Sequence, residues 1–352
     1  MTRRLRVWAI HEESPGHRAQ VAGLLDGLDR RSGGVEARWI SGRSGLSGWR
    51  RWLLRRWIAG CGPRFPEGLV SRLFADGAPE TNGVPPDLLV SSGGKSVFGA
   101  LWLSRRTGAP FVFIGERKPY PSAWFHTVLT PSPRETGEND IPIELIPTGV
   151  GPRAVERAAA ERGRPEGVVW AMLIGGRSRS HRYSEKDWRD LADGMNVLAS
   201  RHGIRWLVTT SRRTGARAEA ILRAGLKGEN VAEAVWWSEN PAKTMRAFLG
   251  LSERAFVSQD SVTMVSEAAA SGRPTTVVRP KRVRFPAASF VPGYLERLEG
   301  LGAVVRADVA ELDTAPAPKG DTLEFPGEIE DRMADAVLRR VGLRREDDEN
   351  LA

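Results

Sequence analysis

Short apolar runs alternate with amphipathic helical stretches along almost all of the 352-residue chain, and this alternation limits the fold more than any other feature. Residues 5–10, 35–40, 87–91, 110–114 and 126–130 read as strands, with helical patterns such as 18–30 and 96–106 between them. Continuous apolar strands separated by helices imply a parallel sheet covered on both faces. After the Pro/Gly-rich junction at 146–153 a second series follows, at 168–174, 205–210, 232–237, 255–258, 275–278 and 303–306. The expected fold is α/β, with two Rossmann-like domains facing each other across a cleft. The first occupies 1–150 and the second 151–325, while 326–352 forms a C-terminal helix with a frayed tail and 153–162 a linking helix. The length suits two domains, each large enough for its own core.

Composition excludes a disordered chain, since hydrophobic residues make up 41% and charged residues 27%. The net charge of +9 points to a polyanionic partner of some kind, and its distribution narrows the choice. Residues 1–72 hold 14 Arg, no Lys and six acids, so nearly all of the excess lies in the first fifth of the chain. A single cysteine, Cys61, rules out an internal disulfide framework and any Cys-cluster zinc site, and it reads as a small packed side chain. The apolar stretch near residue 5 is too short for a signal-peptide core, and nothing approaches the roughly 18 apolar residues of a membrane span. These features together suggest a cytoplasmic protein, with peripheral attachment to the inner face of the cytoplasmic membrane left open.

Ligands of open parallel sheets bind at the carboxyl ends of the strands, so the loops there are the candidate sites. In the second half, strand 168–174 runs into Gly175-Gly176-Arg177-Ser178, where glycines allow close backbone approach and Arg177, Ser178 and Arg179 supply donors for a phosphate. The next strand ends in Ser211-Arg212-Arg213, a second hydroxyl and arginine cluster. At 257–278 a strand ends at Ser258, Asp260 or Ser261 caps a helix, and that helix carries Ser261, Thr263 and Glu267. A Ser/Thr-rich helix start suits a diphosphate, and a carboxylate two turns on can accept both hydroxyls of a ribose. An ordinary strand-to-helix turn, a plain cap and a solvated glutamate would leave the same residues.

In the first half, strand 5–10 leads into His11-Glu12-Glu13-Ser14-Pro15-Gly16-His17. His17 or His11 can act as general base near neutral pH, and Glu12 or Glu13 can serve instead. After strand 87–91 come Gly93-Gly94-Lys95-Ser96; Leu89 stands where a Walker A motif needs its first glycine, so what remains is a glycine turn with Lys95 and Ser96 at a helix start, suited to an anion. Arg117 and Lys118 follow the next strand and can add positive charge to the same edge. Within 48–65, Trp49, Arg50, Arg51, Trp52, Arg55, Arg56 and Trp57 form a basic, Trp-rich helical pattern. It fits a helix lying in the interface of an anionic bilayer, and equally a buried core helix with snorkelling arginines.

The run DSVTMVSEAAASGRP, with LIGG at 173–176, TTSRRTG at 209–215 and SSGGKS at 91–96, resembles the family named after the plant "elongated mitochondria" fission factor. More distantly, the chain is similar to GT-B transferases such as the enzyme that adds N-acetylglucosamine to the peptidoglycan lipid intermediate. The resemblance spans approximately residues 6–310, and the DSVTMVSEA run is its most specific part. It implies that the second domain holds a nucleotide sugar, with Gly175, Gly176 and Ser178 matching the diphosphate turn, Ser261 and Thr263 the helix start and Glu267 the ribose acid. On the acceptor side Gly16 and His17 match the Gly-His loop, which places His17 ahead of His11, and the glycine turn at 93–94 matches one lining the cleft. GT-B enzymes acting on lipid-linked acceptors meet the membrane through the N-terminal domain, where the Trp/Arg segment lies.

The implied activity is transfer of a sugar from a nucleotide-diphosphate sugar to an envelope glycolipid or glycan acceptor, inverting and metal-independent. No cofactor is expected beyond the donor substrate. Two alternatives share the shape: a non-catalytic membrane-associated interaction protein and a nucleotide-sugar epimerase. Specific nucleic-acid binding is not expected, because the charge is not accompanied by a recognisable DNA or RNA module.

Overall fold

The computed structural model describes residues 3–12, 14–42, 48–61, 73–74, 76–117, 120–132, 137–287, 289–314 and 328–343, with the side chains of residues 48, 51, 55 and 58–61 excepted. The chain forms two compact units, Met1–Gly149 with Gly327–Ala352, and Val150–Pro326.

The first unit is a six-stranded parallel sheet in the order β2-β1-β3-β4-β5-β6. Its strands are β1 (Leu5–His11), β2 (Val35–Ser41), β3 (Leu88–Ser92), β4 (Phe111–Ile114), β5 (Thr127–Thr130) and β6 (Asp140–Pro142). Among the described residues the helices that join them are α1 (Pro15–Ser32), α2 (Gly48–Cys61) and α3 (Val97–Thr107). Both faces of the central strands are covered, which is why β3 and β4 are buried throughout, β4 as an unbroken apolar run and β3 as Leu88-Leu89-Val90 followed by two buried serines. On one face Trp8, Ile10, Leu89, Phe111 and Phe113 pack with Val97, Phe98 and Leu101 of α3 and Leu54 of α2.

The second unit repeats the plan with a sheet ordered β10-β9-β7-β11-β12-β14, again parallel. It comprises β7 (Val169–Leu173), β9 (Arg205–Thr209), β10 (Val231–Val235), β11 (Ala255–Ser258), β12 (Thr275–Arg279) and β14 (Val305–Asp308). The helices are α4 (Pro152–Arg162), α5 (Glu185–His202), α6 (Ala216–Gly225), α7 (Met245–Leu251), α8 (Val262–Ala270) and α9 (Val291–Gly300). Helix α5 starts at a full capping box between Ser184 and Asp187. A small antiparallel ribbon of β8 (His181–Arg182) and β13 (Arg282–Val283) lies outside the sequence expectation, because two residues are too few to show a period.

The last described helix, α10 (Ile329–Arg340), belongs to the first unit rather than standing apart at the C-terminus. It packs along α1 so closely that a Cβ on Gly27 would fall 2.3 Å from the Glu330 carbonyl oxygen. Arg30 and Arg31 of α1 pair with Asp331 and Asp335 at 2.7 and 2.8 Å. The buried Glu330 carboxylate accepts the N–H groups of Thr148 and Gly149 at 3.1 and 3.0 Å. The tail at 344–352, expected to fray, lies outside the described residues.

In each sheet the strand order reverses beside the first strand of the unit, between β1 and β3 and between β7 and β11. The loops leaving these strand pairs therefore sit at the topological switch points, where open α/β sheets place their ligands.

Candidate functional site

In the first unit the loops after β1 and β3 meet. Helix α1 begins at Pro15, earlier than the sequence pattern indicates, so Gly16 and His17 lie in its first turn. The His17 Nδ1–H donates to Glu12 Oε1. The other oxygen, Oε2, accepts the Lys95 backbone N–H at 3.1 Å. Burial works to raise the Glu12 pKa, but the His17 hydrogen bond and charge and the Lys95 N–H outweigh it and hold the carboxyl below its ordinary value. An ionised Glu12 holds a proton on His17 Nδ1, so that in the neutral tautomer Nε2 is the acceptor nitrogen, on a side chain that is 36% exposed. Gly93 makes the arrangement possible: its φ is +91°, and a Cβ there would lie 2.4 Å from His17 Nδ1 and 2.6 Å from the Glu12 carboxyl.

The remaining first-unit candidates divide. Gly94 and Lys95 are exposed, and Lys95 forms no ion pair among the described residues. Ser96 is fully buried, and its hydroxyl is taken up by Ser91 Oγ and by the carbonyls of Ser92 and Gly93, so it presents nothing to an anion. His11 stacks edge-on against Trp39. Arg117 does not supply free charge at this edge: it is buried and holds Asp140 through Nε and Nη2 at 2.7–2.9 Å, with a further bond to the Tyr120 carbonyl. Glu13 and Lys118 lie outside the described residues.

In the second unit the glycine turn is packed from three sides. Gly175 donates its N–H to Ser258 Oγ at 2.6 Å, and its carbonyl accepts from the hydroxyls of Ser211 and Thr214, both at 2.5 Å. Gly176 has φ +139°, and a Cβ there would strike the Arg213 carbonyl at 2.3 Å. The Arg177 N–H is given to that same carbonyl and the Ser178 N–H to the His181 carbonyl, while Ser178 Oγ lies 3.2 Å from His181 Nδ1. The two backbone N–H groups and the Ser178 hydroxyl are thus committed within the turn, whereas the Arg177 and Arg179 side chains are exposed.

The charge at the turn comes from Asp260, which the sequence offers as a helix cap, and from Arg213 of the arginine cluster. Asp260, its side chain fully buried, sits where a Gly175 Cβ would be, accepts from Tyr183 Oη at 3.0 Å and pairs with Arg213 at 2.8 Å. Burial and the Asp260 charge raise the Tyr183 pKa well above its ordinary value, so the phenol stays a donor. Arg213, partly exposed, is the arginine that meets the turn; Arg212 is exposed and makes no ion pair among the described residues. Sequence could not separate the two, since consecutive side chains carry the same chemistry and only the backbone says which turns inward.

Helix α8 begins immediately beyond Asp260. Ser261 is its N-cap residue without a side-chain cap bond, so its hydroxyl and the first-turn N–H groups up to Met264 have no partner within the helix. Ser261 and Thr263 are half-buried. Glu267, two turns from the strand end, is buried, and burial pushes its pKa up to about 8 against a smaller opposing effect of Arg246. Its carboxyl is therefore neutral at pH 7 and forms no hydrogen bond among the described residues. Among the described residues no cluster of His, Cys, Asp and Glu has the makings of a metal site.

Helix α2 forms where the Trp/Arg pattern predicts. Leu54 enters the core, while Trp49, Trp52, Leu53 and Trp57 are 63%, 55%, 48% and 41% exposed. Arg50 lies over the Trp49 ring and Arg56 over the Trp52 ring, each 5.2 Å from the centroid. A wholly buried helix does not describe this arrangement. The side chains of Arg51, Arg55 and Cys61 lie outside the described residues.

Three comparisons bear on this architecture. A family model described as mitochondrial fission ELM1 matches residues 15–340. The mitochondrial fission protein ELM1 of Arabidopsis thaliana is 30% identical over 159 residues, which is 44% of this chain and 35% of the plant protein. The match thus spans about a third of that relative's length. Among solved structures, the UDP-GlcNAc 2-epimerase of Methanocaldococcus jannaschii in complex with UDP-GlcNAc and UDP aligns with TM-score 0.53 at 11% identity, covering 95% of this chain and all of the other. The calicheamicin glycosyltransferase CalG4 aligns with TM-score 0.53 at 14% identity, covering 97% and 99%. MurG of Acinetobacter baumannii aligns with TM-score 0.52 at 12% identity, covering 95% and 99%. At such identities the likeness is one of fold, and the fold is α/β with two Rossmann-like domains of GT-B type.

The cytoplasmic placement, with attachment to the inner face of the cytoplasmic membrane, is corrected by these matches: the family and its plant relative are named for mitochondrial fission. The physical reason is that a basic, Trp-rich surface and a polar N-terminal loop constrain how a protein meets a membrane but carry no information about which compartment holds it.

Proposed function

The chain belongs to the mitochondrial fission ELM1 family, and on that premise we propose that it binds a nucleotide-diphosphate sugar in its second unit and transfers the sugar to a hydroxyl of a glycan or glycolipid acceptor. The observation that carries the proposal is the Glu12–His17 pair at the first switch point, a carboxylate-oriented imidazole on a partly exposed side chain. Glycosyltransferases and nucleotide-sugar epimerases of the same fold support the class of ligand.

In the proposed reaction His17 Nε2 takes the acceptor proton as the acceptor oxygen bonds to the anomeric carbon. The bond from that carbon to the diphosphate breaks with inversion, and the electron pair leaves on the nucleoside diphosphate. The growing negative charge is met by the free first-turn N–H groups of α8, the hydroxyls of Ser261 and Thr263 and the nearby Arg213 and Arg212, with no metal required. Glu267, neutral and unpartnered in a buried position, is suited to hydrogen-bond ribose hydroxyls. Gly175, Gly176, Ser178 and Ser211 hold the turn in shape, and the exposed Arg177 side chain adds positive charge beside it.

Calorimetric titration with UDP, GDP and CMP sugars tests the donor site: binding of one class is expected, and binding of none sinks the proposal. His17→Ala should retain nucleotide binding and lose transfer. If the wild-type protein instead returns the donor inverted at C2 of its sugar, the epimerase reading takes over, and binding without any turnover favours a non-catalytic role.

A further inference from the structure

Helix α2 presents a face that the fold leaves uncovered and the donor site does not use. Taking 100° per residue, Trp52, Arg56, Trp49, Leu53, Trp57 and Arg50 follow one another round an arc of roughly 160°, while Leu54 points to the core from just beyond its edge. Three indoles and a leucine exposed side by side form a patch of the kind that marks an interaction surface. We propose that this face is a docking surface for an anionic lipid bilayer, with the helix lying in the plane of the interface.

Four observations select a bilayer over an apolar protein partner. The exposed aromatics are all tryptophan, the side chain that settles best at the boundary between headgroups and acyl chains. The two described arginines lie against the indoles, so the positive charge and the apolar rings reach the same depth, as headgroup phosphates above acyl chains require. Residues 48–61 contain no acid, and they lie within the 72-residue stretch that carries most of the net charge. At 14 residues the helix is about 21 Å long, too short to span a hydrocarbon core of about 30 Å, and no helix among the described residues is long and apolar enough to cross. Membrane contact by this element is therefore contact along its side.

The proposal stands independently of the nucleotide site. Flotation of the full chain with phosphatidylserine–phosphatidylcholine vesicles should show binding that weakens with salt and is at least tenfold poorer on phosphatidylcholine alone. The triple substitution Trp49→Ser, Trp52→Ser, Trp57→Ser should abolish flotation. Arg50→Gln with Arg56→Gln should lower the anionic-vesicle partition by roughly tenfold or more, since each arginine near an anionic surface is worth about fivefold. Circular dichroism of both variants confirms that the fold persists. Equal flotation on neutral vesicles, flotation retained by the triple variant, or an oligomer that the triple substitution dissociates in light scattering without any vesicle binding would each overturn the proposal, the last in favour of a second copy of the chain on this face.

Discussion

Glu267 shows how a single side chain can be tuned against its own fold. Its pKa lies near 8 inside the protein, against 4.5 for an ordinary glutamate, because burial disfavours the charge. An acid with a raised folded pKa leaves stability undiminished below the unfolded value and lowers it progressively as pH climbs from about 4.5 towards 8. Glu12 has the opposite sign: its depressed pKa gives stability above the unfolded value that is lost as acid protonates it. Unfolding midpoints of the wild type should therefore fall between pH 5 and pH 8.5, whereas Glu267→Gln should flatten the decline by an amount on the order of 3–5 kcal/mol at the alkaline end. An unchanged profile in the variant would mean that Glu267 ionises freely. The position of this glutamate was readable in the sequence from its distance to the strand end, but its protonation was not, because desolvation depends on neighbours from other elements.

Among elements, the turn between β7 and the β8 ribbon is the most tightly specified. Gly176→Ala would force a Cβ against the Arg213 carbonyl at a φ that side chains avoid, and a loss of about 2–4 kcal/mol is expected in denaturant unfolding. Gly94→Ala, with nothing within 4 Å of its Cβ position, is the control and should change stability by no more than about 1 kcal/mol. Equal effects would show that the turn is not packed as described. The strands β1, β3, β4, β7 and β11 are legible because burial on both faces leaves mostly apolar runs, unbroken in β4 and β7. Strand β6, with Asp140 and Pro142, carries no such pattern; it pairs with β5, and Arg117 from the loop after β4 holds its Asp140 carboxylate. The Gly-Gly turn was visible as well, yet Asp260 reads as a helix cap in sequence, since local pattern cannot show a carboxylate filling the space beside a glycine on a neighbouring strand.

For the whole molecule, the decisive feature is that the first unit is discontinuous. The amphipathic pattern over 326–340 predicts a helix there, but the surface it covers lies in α1, and no local pattern encodes that choice. Ile329, Met333, Ala334, Val337 and Leu338 are buried there. Truncation before residue 328 should destabilise the first unit by more than about 5 kcal/mol, given about 1.5–3 kcal/mol for each large apolar side chain exposed. Limited proteolysis should then cut α1 and its neighbours while sparing the second unit; protection throughout would refute the prediction.

The same discontinuity sets an order on synthesis. The Glu330 carboxylate that secures Thr148 lies 182 residues after it, so a ribosome must translate the entire second unit before the clasp exists. Until then the nascent first unit carries a bare apolar groove along α1. At elongation rates of about 5–20 residues per second that interval lasts roughly ten to forty seconds, a window in which a chaperone has something specific to hold.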